Sequence, residues 1–76
     1  MASHLREVPK QFGRTVRGLR EAANLTQMTL AERAQLTHNY VGEIERGEKL
    51  ASLETVVRLA RAFGMNGDEL LAKARL

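Results

Sequence analysis

Seventy-six residues with a net charge of +3, 43% hydrophobic and 28% charged side chains suit one small globular domain with a single core. Only 4% are aromatic and none is cysteine, so the core must come from Leu, Val, Ala and Ile, and a disulfide framework or cysteine-rich zinc site is excluded. No apolar run approaches the roughly 18 to 20 residues of a membrane span, and MASHLREVPK lacks the apolar centre of a secretory signal, so a soluble intracellular protein is expected.

Basic side chains concentrate in the first third. Arg6, Lys10, Arg14, Arg17 and Arg20 stand against Glu7 and Glu21 there, whereas residues 26–50 carry Arg33, Arg46 and Lys49 against four acids. A mild basic bias suits a polyanionic partner, but a charged helix face is more often only a solvated one.

Residues 1–8 read as a flexible N-terminal arm, and residues 9–76 as the folded domain. Pro9 suits the first turn of a helix, where its missing N–H costs nothing. Phe12, Val16, Leu19 and Ala23 then recur at steps of four, three and four as one apolar stripe. Gly18 costs that helix about 1 kcal/mol relative to alanine. It marks either a close helix–helix approach or nothing. Asn24 and Leu25 break the pattern, and Thr26 is a good N-cap for a second helix over Gln27 to Ala34, with Leu30, Ala31 and Ala34 inward.

Gln35 and Leu36 lead to Thr37, which caps a third helix from about His38 to Arg46 with Val41 and Ile44 buried. Gly47 ends it as a left-handed residue. Ser52 caps a fourth helix with Leu53, Val56, Val57, Ala60 and Phe63 as apolar positions, and Gly64 closes it. Asn66 and Glu69 resemble a capping box before a short fifth helix carrying Leu70, Leu71 and Ala74. The expected architecture is all-α, five helices in one compact domain.

The informative segment is LTQMTLAERAQLTHNYVGEIERG, residues 25–47. Two short helices joined by a turn this tight cannot pack antiparallel, so the second crosses the first steeply: a helix-turn-helix over residues 26–46. Ala31 permits the close approach, Leu36 plugs the turn, and His38, Asn39, Gly42 and Glu43 are left on the outward face. A helix presented this way fits the DNA major groove, its N-terminal residues nearest the base edges.

At these residues the chain resembles the lambda-repressor-like, or XRE-type, helix-turn-helix family of phage repressors and bacterial regulators. The resemblance rests on FGRTVRGLREAANLTQMTLAERA, YVGEIERGEK and SLETVVRLARAFGMNGDELL, and covers residues 12–71. Within that family THNYVGEIERGEK is most like the controller proteins of restriction–modification systems; small phage repressors and some antitoxins share the minimal architecture. The resemblance implies a transcriptional regulator that binds double-stranded DNA in the bacterial or phage-infected cytoplasm, associated with the nucleoid when bound.

It also implies roles. Thr37, His38, Asn39 and Glu43 take the base-contacting positions: asparagine pairs with adenine and glutamate accepts from cytosine N4. His38 is otherwise an exposed imidazole without a contact. Gln27 takes the position that braces against phosphate, its alternative being an ordinary first-turn residue. Tyr40 contacts phosphate or packs on the domain surface. Arg20 and Glu45 take the positions of a structural ion pair between the first and third helices, unless Arg20 grips phosphate. Arg46 and Lys49 are the best-placed phosphate contacts, with Arg14, Arg17 and Lys10 next.

One recognition helix reads few base pairs, so a homodimer on an inverted repeat is expected, with half-sites about 34 Å apart. No separate dimerisation or ligand-sensing domain is expected, and the exposed apolar candidates for the interface are Leu50, Met65, Leu71 and Leu76. Two departures from the family stand out. Gln35 replaces a usual glycine in the turn, at a strain cost if the backbone there is left-handed, and Leu50 and Ala51 replace a frequent proline before the fourth helix.

An antitoxin or adaptor that mainly binds another protein is the alternative function. An enzyme is disfavoured: His4 and His38 lack metal-ligand spacing and there is no glycine-rich phosphate loop. No catalytic residue, metal, cofactor, small-molecule ligand or membrane contact is expected.

Overall fold

A computed structural model describes residues 6–76, and among these the chain forms α1 (Val8–Ala22), α2 (Gln27–Ala34), α3 (His38–Glu45), α4 (Leu53–Ala62) and α5 (Gly67–Lys73). Most of the expected arm, and His4 with it, lies outside the described residues; Val8 already belongs to α1, with Pro9 in its first turn. The other helices start where a side chain replaces a missing backbone partner. Thr26, Thr37 and Ser52 accept from the backbone N–H groups of Thr29, Tyr40 and Thr55 at 3.0, 3.2 and 3.1 Å. At α5, Glu69 Oε1 accepts from the Asn66 N–H at 2.9 Å.

All five helices end in the same way. A left-handed residue follows each last turn, Asn24, Gln35, Gly47, Gly64 and Arg75 in order. The next N–H then reaches back to the carbonyl five residues earlier: Leu25 to Arg20, Leu36 to Ala31, Glu48 to Glu43, Met65 to Ala60 and Leu76 to Leu71, at 2.8–3.0 Å. This is the Schellman closure. Four of the five residues that make that bond are apolar, and Leu25, Leu36 and Met65 use the turn to pack against the core.

The core gathers Phe12 and Val16 of α1, Leu30, Ala31 and Ala34 of α2, Val41 and Ile44 of α3, Val56, Leu59 and Ala60 of α4, and Leu70 and Ala74 from the α5 end. The Val, Leu, Ile and Phe side chains among these contribute about 1.5–3 kcal/mol each on full burial. The expected apolar stripes hold over most of each helix and fail at some ends and at one position inside α4. Ala23 lies past α1 and is exposed; Leu53, the first residue of α4, is 78% exposed, and Leu59, which the apolar reading left out, is fully buried instead. Gln11 of α1 donates from Nε2 to the Ala74 carbonyl at 2.7 Å, tying the first helix to the last.

α1 crosses α3 against glycine, and the glycine is Gly13, not Gly18. A Cβ on Gly13 would collide with the backbone carbonyls of Ile44 and Glu45, whereas one on Gly18 would meet nothing within 4 Å. Gly18 is therefore not the site of close approach. At the other end of this contact Gly47, at φ +74°, rests on the Lys10 backbone, so its glycine serves both the left-handed turn and the packing.

Candidate nucleic-acid interface

The contact made possible by Gly13 brings α1 against the C-terminal end of α3, and there Arg20 meets Glu45. Arg20 Nε donates to Glu45 Oε2 at 2.7 Å and Nη2 to Oε1 at 3.0 Å, while Nη1 donates to the Leu25 carbonyl at 2.9 Å. The pair is bidentate and nearly dry, with the two side chains only 12% and 2% exposed. The hydrogen bond to Glu45 raises the guanidinium further above its ordinary range, against the opposing cost of desolvation. One arginine thus fixes the end of α3 and the turn before α2 together.

Gln27 completes the network: its Nε2 donates to Glu45 Oε1 at 3.0 Å. The side-chain amide of the first α2 residue is therefore held against α3, with its Oε1 close to Gly42. Gly42 is buried, which corrects its placement on the outward face. It is the floor of a cleft of about 350 Å³ whose rim is Gln27, His38, Asn39, Glu43 and Arg46. A Cβ there would approach Arg46 Nη1 to 3.0 Å and Gln27 Oε1 to 3.6 Å.

The helix-turn-helix therefore presents one edge made of the α2 N-terminus and the exposed side of α3. His38 and Asn39 are exposed and Glu43 half-buried, and none of the three makes a side-chain hydrogen bond to the described residues. Thr37 is exposed, its oxygen engaged by the Tyr40 N–H. Tyr40 is half-buried, and its hydroxyl lies 3.3 Å from Thr55 Oγ1, itself bonded to Ser52 at 2.9 Å; the ring faces α4 as a packing residue.

Cations border this edge. Arg46 is exposed and pairs with Glu48, Nε to Oε2 at 2.7 Å and Nη2 to Oε1 at 3.2 Å. The hydrogen bond to Arg46 pulls the Glu48 carboxyl below its usual range and raises Arg46 in turn. Lys49 is exposed in the turn that follows. On α1, residues at three- and four-step spacing share a side. Lys10, Arg14 and Arg17 consequently flank the Gly13 and Arg20 positions that touch α3, and Arg17 pairs with Glu21 at 3.2 Å.

The four apolar candidates divide between two grooves. Leu50, Leu71 and Leu76 border one with Val8, Pro9 and Phe12. Met65 borders another, with Leu19, Leu25 and Phe63. Sequence reading missed Gly13, the Gln27–Glu45 bond and the Tyr40–Thr55 contact. A glycine beside the apolar stripe is visible at both Gly13 and Gly18, and which one meets α3, like the other two contacts, depends on how separate helices meet.

A family model described as a helix-turn-helix domain matches residues 11–73. Control protein C.SmaI of Serratia marcescens is 33% identical over 70 residues, covering 92% of this chain and 83% of that protein. The immunity repressor protein of Bacillus phage phi105 is 36% identical over 66 residues, 80% of this chain, which spans 46% of the repressor's length. The crystal structure of the restriction-modification controller protein C.AhdI from Aeromonas hydrophila superimposes with a TM-score of 0.78 at 40% identity, covering 82% of this chain and 94% of that one. The chain belongs to the lambda-repressor-like helix-turn-helix family, and within it is similar to restriction–modification controller proteins.

Proposed function

We propose that this protein is a cytoplasmic transcriptional regulator that reads double-stranded DNA as a homodimer on an inverted-repeat operator. The observation that carries the reading is the unengaged α3 edge of His38, Asn39 and Glu43, held rigidly by the buried Arg20–Glu45–Gln27 network. A helix fixed at its C-terminal end by a dry ion pair, with free polar side chains toward its N-terminus, is suited to reading base edges in the major groove. Asn39 pairs with adenine, Glu43 accepts from cytosine, and Thr37 and His38 contact neighbouring base edges.

Arg46, Lys49, Arg14 and Arg17 supply phosphate contacts around that edge, and Gln27 directs its remaining carbonyl and backbone N–H toward the strand. Tyr40 adds a groove-wall contact only through the face of its ring that α4 leaves open. With Glu43 and Glu48 among these cations, non-specific affinity is modest and wrong sites are penalised by repulsion.

The dimer forms through Leu50, Leu71 and Leu76, of which Leu50 is 71% and Leu76 45% exposed. To span an inverted repeat, two copies related by a two-fold axis at this face must carry their α3 helices about one DNA turn, ~34 Å, apart. Met65, on the separate groove, contributes little to that contact.

Selection of bound sites from a random duplex library, with purified protein at two salt concentrations, tests the reading. The expected product is an inverted repeat with half-sites about 10 base pairs apart, bound less tightly at high salt. Recovery of no motif by folded protein would refute it, and would favour a protein-binding antitoxin or adaptor.

A further inference from the structure

Outside the α3 edge, the far end of α2 and the middle of α4 enclose a shallow cleft of about 260 Å³ bordered by Arg33, Gln35, Glu54, Val57, Arg58 and Arg61. Three guanidiniums face one carboxylate there. Arg58 is fixed: its Nη1 donates to Gln35 Oε1 at 2.9 Å, and its Nη2 to Glu54 Oε2 at 2.8 Å. Arg33 and Arg61 form no ion pair with the described residues.

Gln35 is the left-handed residue that ends α2, with φ +58°. Glycine takes that conformation at lower cost, but only a longer side chain can reach Arg58 from this position. The Gln35 side chain aims Arg58 across the cleft. Arg33 also borders a second shallow groove, about 310 Å³, with Leu19, Leu25, Ala62, Phe63 and Met65. A fixed arginine, two unpaired ones and a half-buried apolar strip therefore meet at Arg33.

We infer that this face docks an acidic segment of a partner protein, with carboxylates on Arg33, Arg58 and Arg61 and apolar side chains on Leu25, Phe63 and Met65. A DNA backbone would use the guanidiniums but has no group for the adjoining apolar strip, which is why a protein segment is the better match. None of the residues of either groove belongs to α3. Arg33 follows Gln27 by six residues, about 9 Å along the α2 axis at 1.5 Å per residue, so it stands at the opposite end of α2 from the edge assigned to DNA. The assignment adds a protein partner to the DNA reading and is testable without it.

The test uses the full chain, labelled with ¹⁵N, and a synthetic helical peptide carrying glutamate on one face and leucine on the next. Its lysine-for-glutamate counterpart serves as control. Amide and arginine Nε shifts confined to Arg33, Arg58, Arg61, Phe63 and Met65 are expected, with no response to the control. R33E/R61E should weaken the peptide at least tenfold; R33Q/R61Q, with less charge change, should give a smaller loss in the same direction while leaving duplex DNA affinity at moderate salt within twofold of the parent. Three results would overturn the assignment: no peptide binding at millimolar concentration, shifts that instead follow Arg14, Arg17 and Lys49, or a fall in DNA affinity and salt dependence in R33Q/R61Q. Loss of DNA binding by the parent protein would refute the DNA reading alone, because the peptide titration is read separately.

Discussion

Gln27, the first residue of α2, and Arg20, in the last turn of α1, donate to the same Glu45 carboxylate oxygen, each at 3.0 Å. Three helices are thereby fixed on one buried anion. Removing either charge strands the other in a dry site, so Arg20→Ala and Glu45→Ala should each cost about 3–5 kcal/mol, most of the stability of so small a domain. Gln27→Ala should cost about 1 kcal/mol, the worth of one hydrogen bond. Replacing the charged pair together, as R20M/E45L, should restore much of the loss. Urea titrations followed by circular dichroism measure all four; unchanged midpoints in Arg20→Ala would rule out a structural role for the pair.

Two glycines of α1 should respond in opposite directions. Gly13→Ala places a methyl where the Ile44 and Glu45 carbonyls sit, so α1 must move off α3 or the domain must unfold. Gly18→Ala meets open space and gains helix propensity, worth up to about 1 kcal/mol. Thermal melts of the two variants should lie on either side of the parent. A melting point for Gly13→Ala equal to the parent would contradict the close crossing.

The same pair of residues shows what the amino-acid sequence can and cannot convey. Helix starts are legible because Thr26, Thr37 and Ser52 act within three residues of themselves. The ends at Gly47 and Gly64 are legible for an equally local reason. Those at Asn24, Gln35 and Arg75 are harder to read, because backbone hydrogen bonds compensate a left-handed residue of almost any type. Which glycine faces a neighbouring helix depends on how α1 is rotated against α3, and nothing local sets that. Leu53 follows the apolar period of α4 but stands at its first turn, where the core has already ended. Of the nucleic-acid edge, exposed His38 and Asn39 could be read from the helical period, whereas the burial of Gly42 beneath Arg46 and Gln27 could not. Nor could the Gln27–Glu45 bond, since its partners are 18 residues apart on different helices.

Gln35→Gly offers a direct measure of the strain at the end of α2. A left-handed non-glycine residue costs about 1–2 kcal/mol, and glycine removes that cost while losing the exposed bond to Arg58 and some unfolded-state constraint. The net expectation is a gain of about 0.5–1 kcal/mol in urea titration. Because Arg58 then loses one of its anchors, binding of the acidic peptide should weaken even as the domain becomes more stable. Stability and docking moving together would contradict the idea that the side chain is retained to aim Arg58.

With Arg46 as the phosphate contact proposed above, Glu48 would compete with DNA for it. The two side chains are more than half exposed and joined at 2.7 Å, so the pair contributes little to folding, and its consequence lies in binding. On that proposal a phosphate would have to displace Glu48 from Arg46 and approach a carboxylate that remains nearby. Glu48→Gln removes both obstacles and should raise affinity for duplex DNA several-fold at low salt, with the gain shrinking as salt screens the charge. The Arg46 bond holds the Glu48 carboxyl below its usual range, so wild-type protein keeps the competing charge as pH falls past the ordinary glutamate value of about 4.3 and loses it only lower, if still folded. Arg46→Ala should lower affinity, and in that background Glu48→Gln should gain less than it does alone. The difference between the two gains is the coupling of the pair, obtained from fluorescence anisotropy of the four proteins on one labelled duplex. Equal gains in both backgrounds would mean that Glu48 repels DNA on its own account, and that Arg46 is not the cation it restrains.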